Sequence, residues 1–173
     1  VVFEDQMVAK VNSSIQRKRE KLRKEFENIR ADDQCAQLRR TSIQFEQQAL
    51  DRQEQSLQQS VQGNLNQNER TQQARSDATI NFDDMAQQAI NDTRLRICQT
   101  ENRLSSASDS RNQLDQESRQ RLQEKLSCLQ QTLHKQQAVQ TEFNQINTQI
   151  SQPAQRHMEK MRKMGNLMIN CDK

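Results

Sequence analysis

Apolar residues in the first third of the chain keep a strict spacing of seven. Val8, Ile15, Leu22, Ile29, Ala36, Ile43, Leu50 and Leu57 follow one another in that rhythm, and Val11, Phe26 and Val61 thicken the stripe at offsets of three or four. A sustained seven-residue repeat holds one stripe in register along a supercoiled helix. The pattern therefore predicts one long helix from about residue 4 to residue 62. Asp32-Asp33 could cap a new helix, but the repeat crosses them without a phase shift, which favours continuity. Lys18, Arg39 and Gln53 thin the seam, so the helix needs a partner, either within the chain or in a second copy. Gly63-Asn64, followed by Asn66 and Asn68, is the strongest turn signal.

Three further helices are expected. One spans about 77–104, with a stripe through Ile80, Phe82, Met85, Ala89, Ile90, Ile97 and Leu104. The run Ser105–Ser110 follows, with Asp109 or Ser110 as N-cap. The next helix, about 111–150, has the richest seam: Leu122, Leu126, Leu129, Leu133, Val139, Phe143, Ile146 and Ile150. Ser151-Gln152-Pro153 ends it, because proline cannot continue the hydrogen-bond ladder but can begin a new helix. The last helix, about 154–170, carries Met158, Met161, Met164, Leu167 and Met168 on one side. The fold class expected is all-α: a single elongated domain of antiparallel helical hairpins with coiled-coil packing, stapled by disulfides.

Composition narrows this picture. The 173 residues are 31% hydrophobic, with five Phe and no Trp or Tyr, enough for seams but not for broad apolar faces. Gln is the outlier at 31 residues, dispersed and never in runs longer than two, which suits a polar helix surface. The net charge of +3 arises from 26 basic and 23 acidic residues closely intermixed. That mixture reads as a solvated surface laced with i,i+4 pairs rather than a nucleic-acid interface, and no stretch has the apolar length of a membrane span. The chain opens at Val1 rather than Met, so a processed protein or a fragment is expected.

Four cysteines, Cys35, Cys98, Cys128 and Cys171, are spaced too widely for zinc-binding pairs. Facing residues of an antiparallel hairpin lie symmetrically about its turn. The midpoint of Cys35 and Cys98 falls within the turn at 63–68, and that of Cys128 and Cys171 beside the break at 151–153. Pairings Cys35–Cys98 and Cys128–Cys171 are therefore expected, each strengthening a thin seam by roughly 3–4 kcal/mol. The competing reading keeps all four reduced at seam edges. Disulfides favour a secreted protein, and Asn12 and Asn91 begin N-glycosylation sequons.

No catalytic, cofactor or metal site is expected. His134 and His157 have no nucleophile setting, and Asp83-Asp84 diverge on a helix, which leaves them to cap or solvate a helix start. The cationic run Arg17–Lys24 reads as a solvated face partly paired with Glu20, Glu25 and Glu27, and the Met cluster as a soft packing stripe. What stands out is primary amides beside primary amines. A transglutaminase can pass a Gln acyl group to a Lys amine, provided both are exposed on mobile backbone. Candidate Gln near turns and ends are Gln6, Gln62, Gln67, Gln72, Gln73, Gln152 and Gln155. Candidate Lys are Lys10, Lys18, Lys21, Lys24, Lys160, Lys163 and Lys173. On the residues alone, Gln as mere helix solvation is the simpler reading.

In its dispersed glutamines, cysteines and size the whole chain resembles the glutamine-rich mating-plug proteins of anopheline mosquitoes. The resemblance is compositional. It implies a secreted structural protein of seminal fluid, cross-linked by a transglutaminase into a coagulated plug. Its expected partners are that enzyme and further copies of itself, as a homodimer and a cross-linked polymer. The alternatives are a cytoplasmic coiled-coil scaffold or cytoskeletal component with reduced cysteines, and a secreted binding module that uses the Met-rich end.

Overall fold

A computed structural model describes residues 2–62, 67–106, 115–147, 154–169 and 171. Its helices are α1 (Val2–Glu27), α2 (Ala36–Gln62), α3 (Gln67–Ser106), α4 (Gln116–Asn147) and α5 (Ala154–Asn166), with no strand among the described residues. The all-α expectation holds. The expected turn at Gly63, the cap at Asp109 or Ser110, and the Ser151–Pro153 break lie outside the described residues. The chain divides into two compact units, Val1–Asp84 and Met85–Lys173.

In the first unit, the long helix expected over 4–62 is broken at 28–35. Arg19 of α1 donates to Asp51 of α2 at 2.7 Å and also pairs with Glu54. One continuous helix would hold residues 32 positions apart roughly 48 Å from each other. The chain instead folds back, and Ile15, Leu22, Ile43 and Leu50 form one buried cluster with Val11, Phe26 and Ile29 against it. The repeat kept its phase because Ile29, inside the loop, and Ala36, the first residue of α2, stand one heptad apart, and a seven-residue spacing carries no information about direction.

Asp33 forms the break. Its Oδ1 accepts the Cys35 amide at 2.8 Å, an Asx turn, while its backbone carbonyl accepts the Ala36 amide at 3.1 Å. Its Oδ2 accepts Arg39 Nε at 2.7 Å. These contacts, the Cys35 amide first, hold the Asp33 carboxyl below its usual range. Farther along, Arg52 of α2 pairs with Asp84 of α3 and lies 5.6 Å from the Phe45 ring centroid.

α3 starts ten residues before the expected Asp77, taking in Asn68 from the expected turn. Its first ten residues, QNERTQQARS, are mostly fair helix formers with no apolar stripe to reveal them. α4 begins later than expected, at Gln116 rather than 111. Asp115 is its N-cap, with Oδ1 accepting the Ser118 amide at 2.6 Å. α5 ends at Asn166 rather than near 170, where the Leu167 and Met168 amides turn back to the carbonyls of Met164 and Gly165. α5 packs on α4, with Met164 fully buried and Met168 47% exposed, so the Met stripe is not one continuous face.

The chain is oxidised throughout: Cys128 bonds to Cys171 across 43 residues, Cys35 and Cys98 are disulfide-bonded, and no cysteine is free.

Two predictions follow from this geometry. Asp33→Ala should cost roughly 1 kcal/mol by removing the turn acceptor. Because the folded carboxyl is depressed, its contribution is present above the ordinary Asp value near ~4 and lost as pH falls through the lower folded value. Urea melts at pH 7 and pH 2.5 should therefore show the variant's deficit shrinking in acid; an equal deficit at both pH values contradicts the assignment. Gly165 lies in the last turn of α5 with nothing within 4 Å of an added Cβ. Gly165→Ala should thus raise stability by roughly 0.5–1 kcal/mol in the same assay.

Candidate functional site

In the second unit, α4 buries Leu122, Leu129, Val139 and Phe143. Leu122, Leu129 and Phe143 belong to one seven-residue phase, and the remaining member is Gln136, at 0% exposure. A buried carboxamide must satisfy both its ends. Gln136 Nε2 donates to the Leu167 carbonyl at 3.1 Å, just past α5, and its Oε1 lies 2.8 Å from Thr93 Oγ1 on α3.

The carbonyl can only accept, which fixes the amide's orientation and obliges Thr93 to donate its proton to Gln136. The Ala89 carbonyl, 2.9 Å from the same hydroxyl, shares that proton as a second acceptor. A second relay runs beside the first. Gln140 donates to Gln87 Oε1 at 2.9 Å, and Gln87 donates to Asn91 Oδ1 at 3.0 Å. The Thr132 hydroxyl reaches Cys171 Sγ at 3.6 Å, next to the disulfide.

These amides are structural. Gln136 is fully buried, and Gln87 and Gln140, partly buried, are each tied to a defined partner. Sequence reasoning passed over Gln136, although its signal was present: a polar residue occupying a seam position between Leu129 and Phe143.

Other amides meet solvent. Gln6 on α1 and Gln72 on α3 are exposed. Gln62, Gln67, Gln73 and Gln155 occupy helix ends or first turns rather than loops, and their side chains lie outside the described residues, as do Gln152 and Lys173. Lys10, Lys18, Lys21, Lys24 and Lys163 are exposed. Lys160 is not equivalent to them. It is partly buried and pairs with Glu142, whose carboxyl it holds below the usual range.

The run Arg17–Lys24 is a solvated face in part. Arg23 binds Glu20 and Glu27 at 2.5 and 2.7 Å, and Lys21 lies 4.0 Å from Glu25. Asp83 and Asp84 sit inside α3, not at a helix start. Burial, then the neighbouring Asp84 charge, pushes the Asp83 carboxyl up.

Of the two sequons, Asn12 is half-buried on α1, while Asn91 is 7% exposed and Thr93 fully buried within α3. The folded chain leaves no room for a glycan at Asn91. Among the described residues, no group of His, Cys, Asp or Glu is arranged to hold a metal ion, and no helix is long and apolar enough to cross a membrane.

No protein-family model, curated protein or solved structure matches this chain.

The relay generates a specific expectation. Gln136→Leu removes both hydrogen bonds and leaves the Leu167 carbonyl without its partner, a cost of roughly 1–3 kcal/mol. In a cycle with Thr93→Val, urea denaturation should give a coupling of roughly 0.5–3 kcal/mol, as expected for groups in direct contact. Strict additivity contradicts the shared proton.

Proposed function

We propose that this chain is a secreted structural matrix protein, a glutamine-rich substrate that a transglutaminase joins into a polymer. The observation that carries the proposal is on α1, where Gln6 and Lys10 are both exposed and stand one turn apart. An acyl donor and an acyl acceptor thus share one accessible segment.

The chemistry balances without a cofactor. The enzyme's thiolate attacks the Gln carboxamide, ammonia leaves, and the thioester is taken by a Lys amine of another copy, releasing the thiol. Each event forms one isopeptide bond. Several donors and acceptors per chain convert pairwise joining into a network.

Oxidised cysteines support an extracellular setting. The compositional resemblance to mating-plug proteins supports seminal fluid as that setting. A cytoplasmic scaffold would instead require reduced thiols.

Incubation with a calcium-dependent transglutaminase and a fluorescent primary amine should label the chain, with Gln6 and Gln72 among the modified residues by peptide mapping. Without added amine, ladders of multimers should appear, and Gln87, Gln136 and Gln140 should stay unmodified. Absence of label, or label confined to the buried amides, overturns the proposal.

A further inference from the structure

Four exposed cations share the outer side of α1: Lys10, Arg17, Lys21 and Lys24. At 3.6 residues per turn, Lys10, Arg17, Lys21 and Lys24 fall within roughly 60° of one another about the helix axis and extend about 21 Å along it. The opposite side, through Ile15, Leu22 and Phe26, is committed to α2. The stripe therefore faces away from the packed side, on a helix fixed in place by its neighbour.

Nearby carboxylates neutralise it only in part. Arg23 occupies Glu20 and Glu27, and Arg19 occupies Asp51 and Glu54. Glu25 approaches Lys21 at 4.0 Å. The arginines on the flanks thus absorb most of the acidic residues and leave the stripe with a surplus of positive charge. Charges a turn or two apart fall within one Debye length at ~0.1 M salt, roughly 10 Å, so they act on a partner as a line of charge.

We infer that this stripe is a docking surface for a linear sulfated polysaccharide. A flexible chain of regularly spaced anions matches a straight row of cations along a convex helix. A single-stranded nucleic acid would need aromatic stacking platforms, and no aromatic residue lies between Lys10 and Lys24, while Phe26 packs into the seam. A membrane would gain from an apolar face, but that of α1 is already buried against α2. Choosing a polysaccharide rests on the extracellular setting proposed above; the electrostatic argument does not involve cross-linking. Binding would concentrate the protein on an anionic matrix through the same lysines that can accept acyl groups.

The test uses the full oxidised chain and a fluorescent heparin dodecasaccharide as probe, read by anisotropy across a salt series. Substituting Lys10, Arg17, Lys21 and Lys24 by Gln together should weaken binding at least about tenfold at 0.1 M salt and flatten its salt dependence. A control replacing the exposed Arg94, Arg103, Lys135 and Lys163 by Gln removes the same charge and should keep affinity within about twofold. Circular dichroism checks that both variants fold. Amine acetylation of the unsubstituted protein gives a readout free of variants: the probe should shield Lys10, Lys21 and Lys24 but not Lys135. No binding, equal losses in both variants, or no selective shielding overturns the site. Tighter binding to duplex DNA or to phosphatidylserine vesicles overturns the partner class.

Discussion

Helices here meet along seams only one or two side chains wide, and that narrowness governs the structure. A helix that buries a broad apolar face can rely on the area term, at roughly 25 cal/mol for each Å² removed from water. The α1–α2 pair has four buried apolar residues with three more beside them, so other interactions must contribute. In the first unit these are Arg19 with its two carboxylates and Arg52 between Asp84 and the Phe45 ring. Partly exposed pairs of this kind contribute between nothing and about 1 kcal/mol each, and a cation–π contact about the same. A disulfide closing 43 residues contributes roughly 4 kcal/mol on the chain-entropy model. Among these contributions the covalent clasp is the largest, which explains how so polar a chain keeps α5 and the C-terminal segment against α4.

The same narrowness explains what the amino-acid pattern reveals and what it conceals. Helical character was legible throughout, because the apolar residues keep helical spacing and only two Gly and one Pro interrupt them. Cys128 and Cys171 were paired correctly from the symmetry of a helical hairpin about a proline-marked break. The loop at 28–35 was misread because its one strong marker, Asp33, competed with a seam whose phase is identical before and after the turn. Mirror-related seams and continuous seams share one spacing, so only the Asx-turn chemistry distinguishes them. The start of α3 was concealed for a different reason. Its first ten residues form a helix without an apolar stripe, and a method that follows stripes has nothing to follow there.

Glutamine takes two roles in this chain, and its contacts divide them. Gln87, Gln136 and Gln140 are locked into donor–acceptor relays, whereas Gln6 and Gln72 meet solvent. Side-chain chemistry is the same in both groups. Their composition therefore signals abundance but not availability, and a count of amides overstates how many an enzyme could reach. Gln136 was legible in principle, as the polar member of an otherwise apolar heptad phase, but its partners, Thr93 and the Leu167 carbonyl, come from segments 43 and 31 residues away and could not be read from spacing.

A buried amide is a poor source of net stability and a good source of alignment. Exchanging protein–water for protein–protein hydrogen bonds leaves little net gain, whereas an unpaired buried carbonyl is costly. Sliding α4 by one heptad would carry Leu129 or Phe143 to the place of Gln136, stranding the Leu167 carbonyl against hydrocarbon and leaving the Thr93 hydroxyl only the Ala89 carbonyl of its own helix. A seam made only of Leu and Phe would tolerate that slip far better. A single polar position in a hydrophobic phase is a known means of fixing register in helical assemblies. Here it also sets where the C-terminal segment lies, and so brings Cys171 to the one position on α4 where Cys128 can bond it. The thin seam is thus aligned by an amide and then secured by a disulfide, two interactions that divide specificity and stability between them.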